Sequence, residues 1–216
     1  MDLLFHPDPD RNAISHAVAV LEERRPLTLV QSLTGGLGIT GDARVRAMGW
    51  QDEAFVSWHP PPLRLVILGH GAESLMLARL ASAFGASITM LSPDERTLAL
   101  AERLGASTTS LRTPNLPTDF VADPWSAVVF LFHDHSWELL LMEKALDQPA
   151  FFIGAMGSRR THAHRLAALR ERGMGQEKLD RIIAPIGLIP SARDPATLAI
   201  SALAQVVDAY RGFTTS

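Results

Sequence analysis

The sequence predicts a fold of the α/β class, with a doubly wound, mostly parallel sheet and a small α+β appendage at the N-terminus. From residue 63 onward, short apolar runs alternate with helical patterns, an order typical of a parallel sheet with helices on both faces. The run at residues 65–68 is apolar throughout, as expected for a strand buried on both faces. It leads directly into a glycine turn, Gly69-His70-Gly71, which precedes a helical pattern.

Residues 1–60 are predicted to form a small unit of their own, followed by a second domain at 63–216. The stretch His59-Pro60-Pro61-Pro62 is expected to be a stiff linker, because proline neither continues a helix nor donates a ladder hydrogen bond. We expect one helix in the first unit, with Asp8 or Asp10 as N-cap and a buried stripe of Ile14, Val18 and Leu21. Strands are expected at 27–30 and 44–48, with turns at 34–37 and 41–42.

The elements of the second domain follow in regular order and indicate a Rossmann-like arrangement. Strands are predicted at 65–68, 87–91, 107–110, 126–132 and 150–153. Helices are predicted at 75–84, 93–105, 137–146 and 159–172, and the first, second and fourth end at Gly85, Gly105 and Gly173. Asp194-Pro195 begins the last helix, with aspartate as N-cap, proline at the first helical position, and a stripe of Ala199, Leu203, Val206 and Tyr210.

Composition excludes several classes of function. The 216 residues contain no cysteine, so disulfides, thiolate metal sites and thiol nucleophiles are excluded. The net charge of −3 argues against a nucleic-acid surface, and no apolar run approaches the ~20 residues that a membrane span needs. The N-terminus lacks a signal-peptide pattern, so we expect a cytoplasmic location. Lys144 and Lys178 are the only lysines; the remaining fixed positive charge is arginine, which suits bidentate recognition of anions.

The glycine turn after the first strand of the second domain has the pattern G-x-G-x-x-S, with Ser74 in place of the third glycine. Its place between a strand and a helix favours a phosphate-binding turn formed by Gly69, His70 and Gly71. The next strand ends in Ser92, where NAD-binding domains have an acidic residue. Three interpretations follow: NAD is not the ligand, Asp94 reaches round to a ribose, or Ser92 suits a 2′-phosphate. The alternative is a fold in which the glycines serve packing alone.

The sequence His133-Asp134-His135 ends the fourth strand, at the sheet edge where ligands of open α/β sheets bind. Two imidazoles and a carboxylate suit contacts to a polar ligand. A metal site is a second interpretation, with His70, His162 and His164 as further candidates at the same edge. A plain loop with an aspartate cap is the third.

The stretch Gly154-Ala-Met-Gly157-Ser158-Arg159-Arg160 follows a predicted buried strand. Gly154 and Gly157 allow close approach of a ligand to the backbone, and Ser158 is expected to cap the next helix. Arginine at a helix N-terminus opposes the helix dipole, so Arg159 and Arg160 together indicate a bound anion. The alternative is a solvated pair of arginines neutralised by surface acids.

These motifs together resemble the XdhC/CoxI family. The resemblance rests on residues 152–160 and on Ala184-Pro-Ile-Gly-Leu188, and extends back through His133-Asp134-His135 and the turn at 69–71, over roughly 63–210. It implies an accessory factor for xanthine dehydrogenase and CO dehydrogenase that binds molybdenum cofactor, helps its terminal sulfur to be installed and delivers it to the apoenzyme. It further implies a Rossmann-like domain with a pterin-phosphate ligand, and self-association.

Three features depart from the family pattern. The N-terminal region is short and lacks the glycine-cysteine motif implicated in cofactor handling. Ser92 stands where the family tends to have an acidic residue. Ile189-Pro190-Ser191 stands where the family favours Asp-Ile-Gly. These departures have three interpretations: a different ligand, a separate partner chain, or a loss of sulfur-transfer competence.

Three functions follow from this reasoning. The first is a maturation factor that holds the phosphorylated cofactor without catalytic residues or a metal. Its expected partner is a molybdenum hydroxylase such as xanthine dehydrogenase, and a homodimer is expected to form through the apolar residues 151–153. The second is an NAD(P)-dependent oxidoreductase with His133 or His135 as proton donor. The third is a fold-only partner protein without a ligand. The predicted cofactor site comprises Gly69, His70, Gly71, Ser92, His133, Asp134, His135, Gly154, Gly157, Ser158, Arg159 and Arg160.

Overall fold

A computed structural model describes residues 8–40, 48–133 and 135–215 of the chain. The described residues fall into two compact units. The first extends to Pro62 and includes residues 214 and 215, and the second is Leu63–Phe213. Each unit has its own sheet, and the division between them follows directly after the proline run at 60–62.

The first unit begins with helix α1 (Arg11–Glu22), and the Oδ1 atom of its N-cap Asp10 accepts the backbone N–H of Asn12 at 2.9 Å. The buried face of α1 differs from the predicted stripe. Ala17 and Val20 are buried, whereas Ile14 and Val18 are 41% and 48% exposed. Ala17 and Val20 are themselves neighbours on the helix surface, so spacing alone did not reveal which of two adjoining faces meets the sheet.

The sheet of the first unit has four antiparallel strands in the order β2-β1-β4-β3: β1 (Leu27–Ser32), β2 (Leu37–Thr40), β3 (Gly49–Gln51) and β4 (Ala54–His59). The predicted strand at 27–30 and the turn that contains Gly35 are confirmed. The predicted turn at 41–42 and residues 44–47 of the predicted second strand lie outside the described residues. Strand β4 was missed, because its stability comes from pairing over its whole length with β1, a contact between distant parts of the chain.

The second unit has one parallel sheet of six strands: β5 (Arg64–Gly69), β6 (Ser87–Ser92), β7 (Ser107–Ser110), β8 (Ser126–Leu131), β9 (Phe152–Ala155) and β10 (Ile182–Ile183). Their order is β10-β9-β8-β5-β6-β7, and every pair is parallel. Counted from β5, this is the Rossmann order 3-2-1-4-5-6, which confirms the predicted fold. The switch point lies between β5 and β8, where successive crossovers change direction.

The helices of the second unit are α2 (Gly71–Phe84), α3 (Glu95–Glu102), α4 (His135–Leu146), α5 (Arg159–Glu171), α6 (Gln176–Leu179) and α7 (Pro195–Thr215). The predicted α3 begins two residues too early and ends three residues too late, and β9 begins two residues later than predicted. The short elements α6 and β10 were missed, since four and two residues carry no periodic pattern. Within the described ranges, no helix has both the length and the apolar character needed to cross a membrane.

The residues proposed as a dimer face belong to the interior of the second unit. Phe152 and Ile153 are buried, with exposures of 2% and 1%. The ring of Phe151 stacks on Phe213 of α7 at a centroid distance of 5.6 Å and contacts Tyr210 at 5.4 Å. Helix α7 therefore covers this part of the sheet edge, and the interpretation of residues 151–153 as an open apolar face was wrong.

Candidate functional site

A cleft of about 750 Å³ lies at the carboxyl ends of β8, β9 and β10, beside the switch point of the sheet. This is the edge at which ligands of doubly wound sheets bind. The residues that give the cleft its chemical character are Glu73, His133, Gly157, Arg159, Gly187 and Arg193. They come from four separate segments of the second unit, and we refer to this cleft as the crevice.

The N-terminus of α5 forms one wall of the crevice. The Oγ atom of Ser158 accepts the backbone N–H of Thr161 at 3.1 Å, which makes Ser158 the predicted N-cap. Gly157 has a φ of +131°, and a Cβ atom there would lie 3.0 Å from Cγ2 of Thr161. The turn therefore requires glycine, and it brings the positive end of the helix dipole to the crevice.

Arg159 and Arg193 both line the crevice. Within the described part of the chain, neither guanidinium makes an ion pair or a hydrogen bond. Sequence reasoning found Arg159 and missed Arg193. The available signal was the position of Arg193 directly before the Asp194-Pro195 helix start, where an arginine is electrostatically unfavourable, as Arg159 is at the start of α5.

Arg160 does not line the crevice, although the sequence suggested that it accompanies Arg159. It lines a different cleft, between α4 and α5. The two residues are consecutive on α5, and successive helical side chains point about 100° apart. The expected pair of arginines is thus divided between two sites.

The loop after β10 forms the opposite wall of the crevice and is attached to α7. The Gly187 N–H donates to Oε1 of Gln205 at 2.6 Å, and the Ile189 N–H donates to Oγ of Ser201 at 2.7 Å. Gly187 has a φ of +112°, and a Cβ atom there would lie 2.5 Å from the Ser201 hydroxyl. This close approach explains the glycine in the Pro-Ile-Gly-Leu motif by packing.

The glycine turn after β5 is engaged in contacts within the protein. A Cβ atom at Gly69 would lie 2.7 Å from the carbonyl oxygen of Leu131, so the end of β5 needs glycine to pack against β8. Gly71 has a φ of +83°, and its N–H donates to Oγ1 of Thr97 at 3.1 Å. The amide that would approach a pyrophosphate in a dinucleotide-binding turn already has an acceptor.

Ser92 serves the turn between β6 and α3. It is fully buried, and its Oγ atom accepts the Asp94 N–H at 3.1 Å. The hydrogen bond from the Thr97 hydroxyl, 2.5 Å from Oδ2, holds the pKa of Asp94 below its ordinary value, with further lowering by backbone N–H groups and by His70. We therefore leave Ser92 out of the proposed ligand site.

Gly154 lies inside β9 and is buried. A Cβ atom at this position would lie 2.6 Å from Cδ1 of Ile186 and 2.6 Å from Cε1 of Phe152. Packing between β9 and the loop after β10 therefore accounts for Gly154, and no ligand is needed to explain it.

His70 and His133 lie close together at the switch point. Their ring centroids are 6.3 Å apart, and Nε2 of His133 lies 3.6 Å from Oε2 of Glu73. The Nδ1 atom of His70 is buried and has no partner among the described residues. Asp134 lies outside the described residues, and for His135 the structure describes the backbone at the start of α4.

The histidines that sequence reasoning left as metal candidates are not assembled into a metal centre in the described ranges. No group of three or more histidine, aspartate or glutamate side chains is close enough there to hold an ion. Of these histidines, His164 lines the cleft between α4 and α5, away from His70 and His133.

The strand order and the crevice define a Rossmann domain whose ligand cleft lies over the half of the sheet formed by β8, β9 and β10. The sequence model of the XdhC Rossmann domain matches residues 65–206, and the chain belongs to this family. The resemblance recognised in the sequence is thereby confirmed.

Three known proteins are similar to the chain. The molybdenum cofactor insertion chaperone PaoD of Escherichia coli K12 is 34% identical over 186 residues, which cover 86% of the chain and 52% of PaoD. The uncharacterised protein YqeB of the same organism is 29% identical over 210 residues, covering 92% of the chain and 36% of YqeB. A crystal structure described as a xanthine dehydrogenase from Bacillus halodurans superposes with a TM-score of 0.74 at 20% identity, covering 94% of the chain and 67% of that protein.

The chain spans about half the length of PaoD and about a third of YqeB. The likeness to the Bacillus halodurans structure, at 20% identity, establishes the fold alone.

Proposed function

We propose that the protein is an accessory factor that binds molybdenum cofactor in the crevice and delivers it to a molybdenum hydroxylase such as xanthine dehydrogenase. Membership of the XdhC family supports this proposal, as does the similarity to a molybdenum cofactor insertion chaperone. The observation that carries it is the shared position of Arg159 and Arg193 in one cleft, beside the N-terminus of α5.

The residues of the crevice fit a phosphate group. Two guanidinium groups without acid partners among the described residues supply positive charge and planar donors, and the helix dipole adds to the same field. Gly157 leaves the space beside the Ser158 cap free of a side chain. In the proposed complex, these groups hold the phosphate of the pterin, while His133 contacts the polar head. Asp134 and His135 are proposed as further contacts at the same strand end.

The crevice is better suited to a single phosphate than to the pyrophosphate of NAD(P). The Gly71 amide donates to Thr97. The Glu73 carboxylate, in the first turn of α2, lines the α2 side of the crevice, 3.6 Å from His133, and repels a second anionic group there. Both features lie at the turn where a dinucleotide would bind. For this reason we propose a cofactor carrier and not an oxidoreductase.

Binding of molybdopterin and of NADP to the purified protein tests this proposal. We expect Arg159→Ala to weaken molybdopterin binding by roughly 1.5–3 kcal/mol, the range for hydrogen bonds to charged groups. Arg170→Ala is the matched control, because it removes the same charge from the same helix and lines neither cleft. Isothermal titration calorimetry gives both affinities.

Two results would overturn the proposal. Equal molybdopterin affinity in wild type, Arg159→Ala and Arg193→Ala would remove the crevice arginines from the site. Hydride transfer by the wild-type protein, with tight NADP binding, would establish an oxidoreductase instead. Delivery is tested separately, by activation of a molybdenum-free hydroxylase with the cofactor-loaded protein, and Arg159→Ala should activate it less.

A further inference from the structure

We propose that the second unit has a second anion-binding site, between α4 and α5, which takes a small organic anion that joins one phosphate or carboxylate group to an apolar ring or chain. This site is separate from the crevice and does not depend on the proposed cofactor function. It rests on a cleft, on a buried arginine with unused donors, and on two exposed basic side chains beside it.

The cleft has a volume of about 440 Å³, enough for a small molecule. Helix α4 contributes Glu138 and Leu139, and helix α5 contributes Arg160, His164, Arg165 and Ala168. We refer to it as the interhelical cleft. Arg160, His164 and Ala168 follow one another at intervals of four residues, and Arg165 lies three residues before Ala168, so these positions lie on one side of the helix.

Arg165 is the central residue of the interhelical cleft. Its side chain is 2% exposed, and its Nη2 atom donates to both carboxylate oxygens of Glu138 at 2.9 and 3.0 Å and to the carbonyl oxygen of Met156 at 2.9 Å. Its Nε and Nη1 atoms are buried and have no acceptor among the described residues. Buried arginine donors are normally paired, so an anion in the cleft would supply the acceptors that these two nitrogen atoms lack.

The charge of the interhelical cleft favours an anion. The carboxylate of Glu138 is neutralised by Arg165, which leaves Arg160 as an additional positive charge. Arg160 and His164 are exposed, lie one turn apart on α5, and make no ion pair within the described ranges. A ligand held by Arg160 and Arg165 receives two guanidinium groups from the same helix.

The apolar residues that line the interhelical cleft indicate the second part of the ligand, an apolar ring or chain. Leu139 on α4 and Ala168 on α5 line the same cleft with aliphatic side chains. They give an apolar ring or chain a surface to bury, which inorganic phosphate lacks. The ligand class is therefore an organic phosphate or carboxylate and not a bare inorganic ion.

The experiment uses the full chain with Arg159→Gln, in which the crevice has lost an arginine and the interhelical cleft is unchanged. Phenyl phosphate, benzoate, inorganic phosphate and neutral benzyl alcohol are titrated to millimolar concentration, and binding is followed by the amide NMR signals of Leu139 and Ala168. We expect saturable shifts with phenyl phosphate or benzoate, and much weaker effects with phosphate and benzyl alcohol.

Adding Arg160→Gln to this background should weaken binding of the organic anion by roughly tenfold or more, the effect of losing a charged hydrogen bond. Arg170→Gln is the control, since Arg170 lies on the same helix and lines neither cleft. The inference is overturned if Leu139 and Ala168 do not shift, if Arg160→Gln and Arg170→Gln act alike, or if benzyl alcohol or inorganic phosphate binds as tightly. None of these outcomes bears on molybdopterin binding in the crevice, so the two proposals fail independently.

Discussion

The backbone N–H of Gly71 donates a hydrogen bond to Oγ1 of Thr97 at 3.1 Å. This contact joins the glycine turn after β5 to the first turn of α3, and Thr97 in turn donates to Asp94 at 2.5 Å. A turn with the spacing of a phosphate-binding loop is thus occupied by a side chain of the same chain. The ligand cleft lies over the other half of the sheet, at α5 and the loop after β10.

Replacing Thr97 by valine should destabilise the second unit by about 1–3 kcal/mol, because the substitution keeps the shape and leaves the Gly71 amide without an acceptor. Urea denaturation measures the effect. Thr97→Ser restores the hydroxyl and should recover most of the loss. A Thr97→Val protein as stable as wild type would show that solvent can satisfy the Gly71 amide.

The Glu138→Ala substitution should cost about 3–5 kcal/mol, because it leaves the buried Arg165 guanidinium without its counter-charge. Replacing both residues, as Glu138→Leu with Arg165→Met, should be much less damaging, since no uncompensated charge remains. Denaturation midpoints of the three proteins test this expectation. Glu143→Gln is the control: Glu143 pairs with exposed Arg172 between the same two helices, and its loss should change the midpoint little.

Gly157→Ala should destabilise the protein by about 1–3 kcal/mol, because alanine is strained at a φ of +131° and its Cβ would crowd Thr161. Gly212→Ala should change the stability in the opposite direction. Gly212 lies within α7 with open space beside it, so alanine there should stabilise the helix by about 0.5–1 kcal/mol. Thermal unfolding of both variants provides the comparison, and equal shifts in the same direction would contradict the assigned role of Gly157.

Stability should decrease as the pH falls below neutrality, in part through His162. Burial lowers the pKa of His162, and the nearby charge of Arg165 lowers it further. The unfolded chain takes up a proton below an ordinary imidazole pKa of about 6.5, whereas the folded chain resists protonation. This contribution is therefore complete above that pH, decreases as the pH falls towards the folded pKa, and does not decrease further below it.

His162→Gln should reduce this pH dependence, measured as the change in unfolding free energy between slightly alkaline and mildly acidic solution. Part of the pH dependence should remain in this variant, because burial also lowers the pKa of His59 in the first unit. If the unfolding free energy of the variant changes with pH as much as that of the wild type, His162 does not contribute to the pH dependence.

The main elements of the second unit were predictable because each has a strong local pattern. Residues 65–68 of β5 are all apolar, and Gly85 takes a φ of +91° at the end of α2. Asp194 caps α7, with its Oδ1 atom 2.8 Å from the Thr197 N–H. The crevice was predicted in part, since the turn at 157–159 stands next to a strand end. Arg193 was missed because it reaches the crevice from a loop that is attached to α7 by tertiary contacts.

Short-range patterns in the chain were sufficient to establish the α/β class, the cap at Ser158 and the family, since these depend on neighbouring residues and on the order of motifs. Which side chains share a site was decided by folding. Arg159 and Arg160 differ by one position yet serve separate clefts, because the helix turns between them and different elements pack on its two sides. The same holds for Gly71, whose amide is occupied by a threonine 26 residues further along the chain.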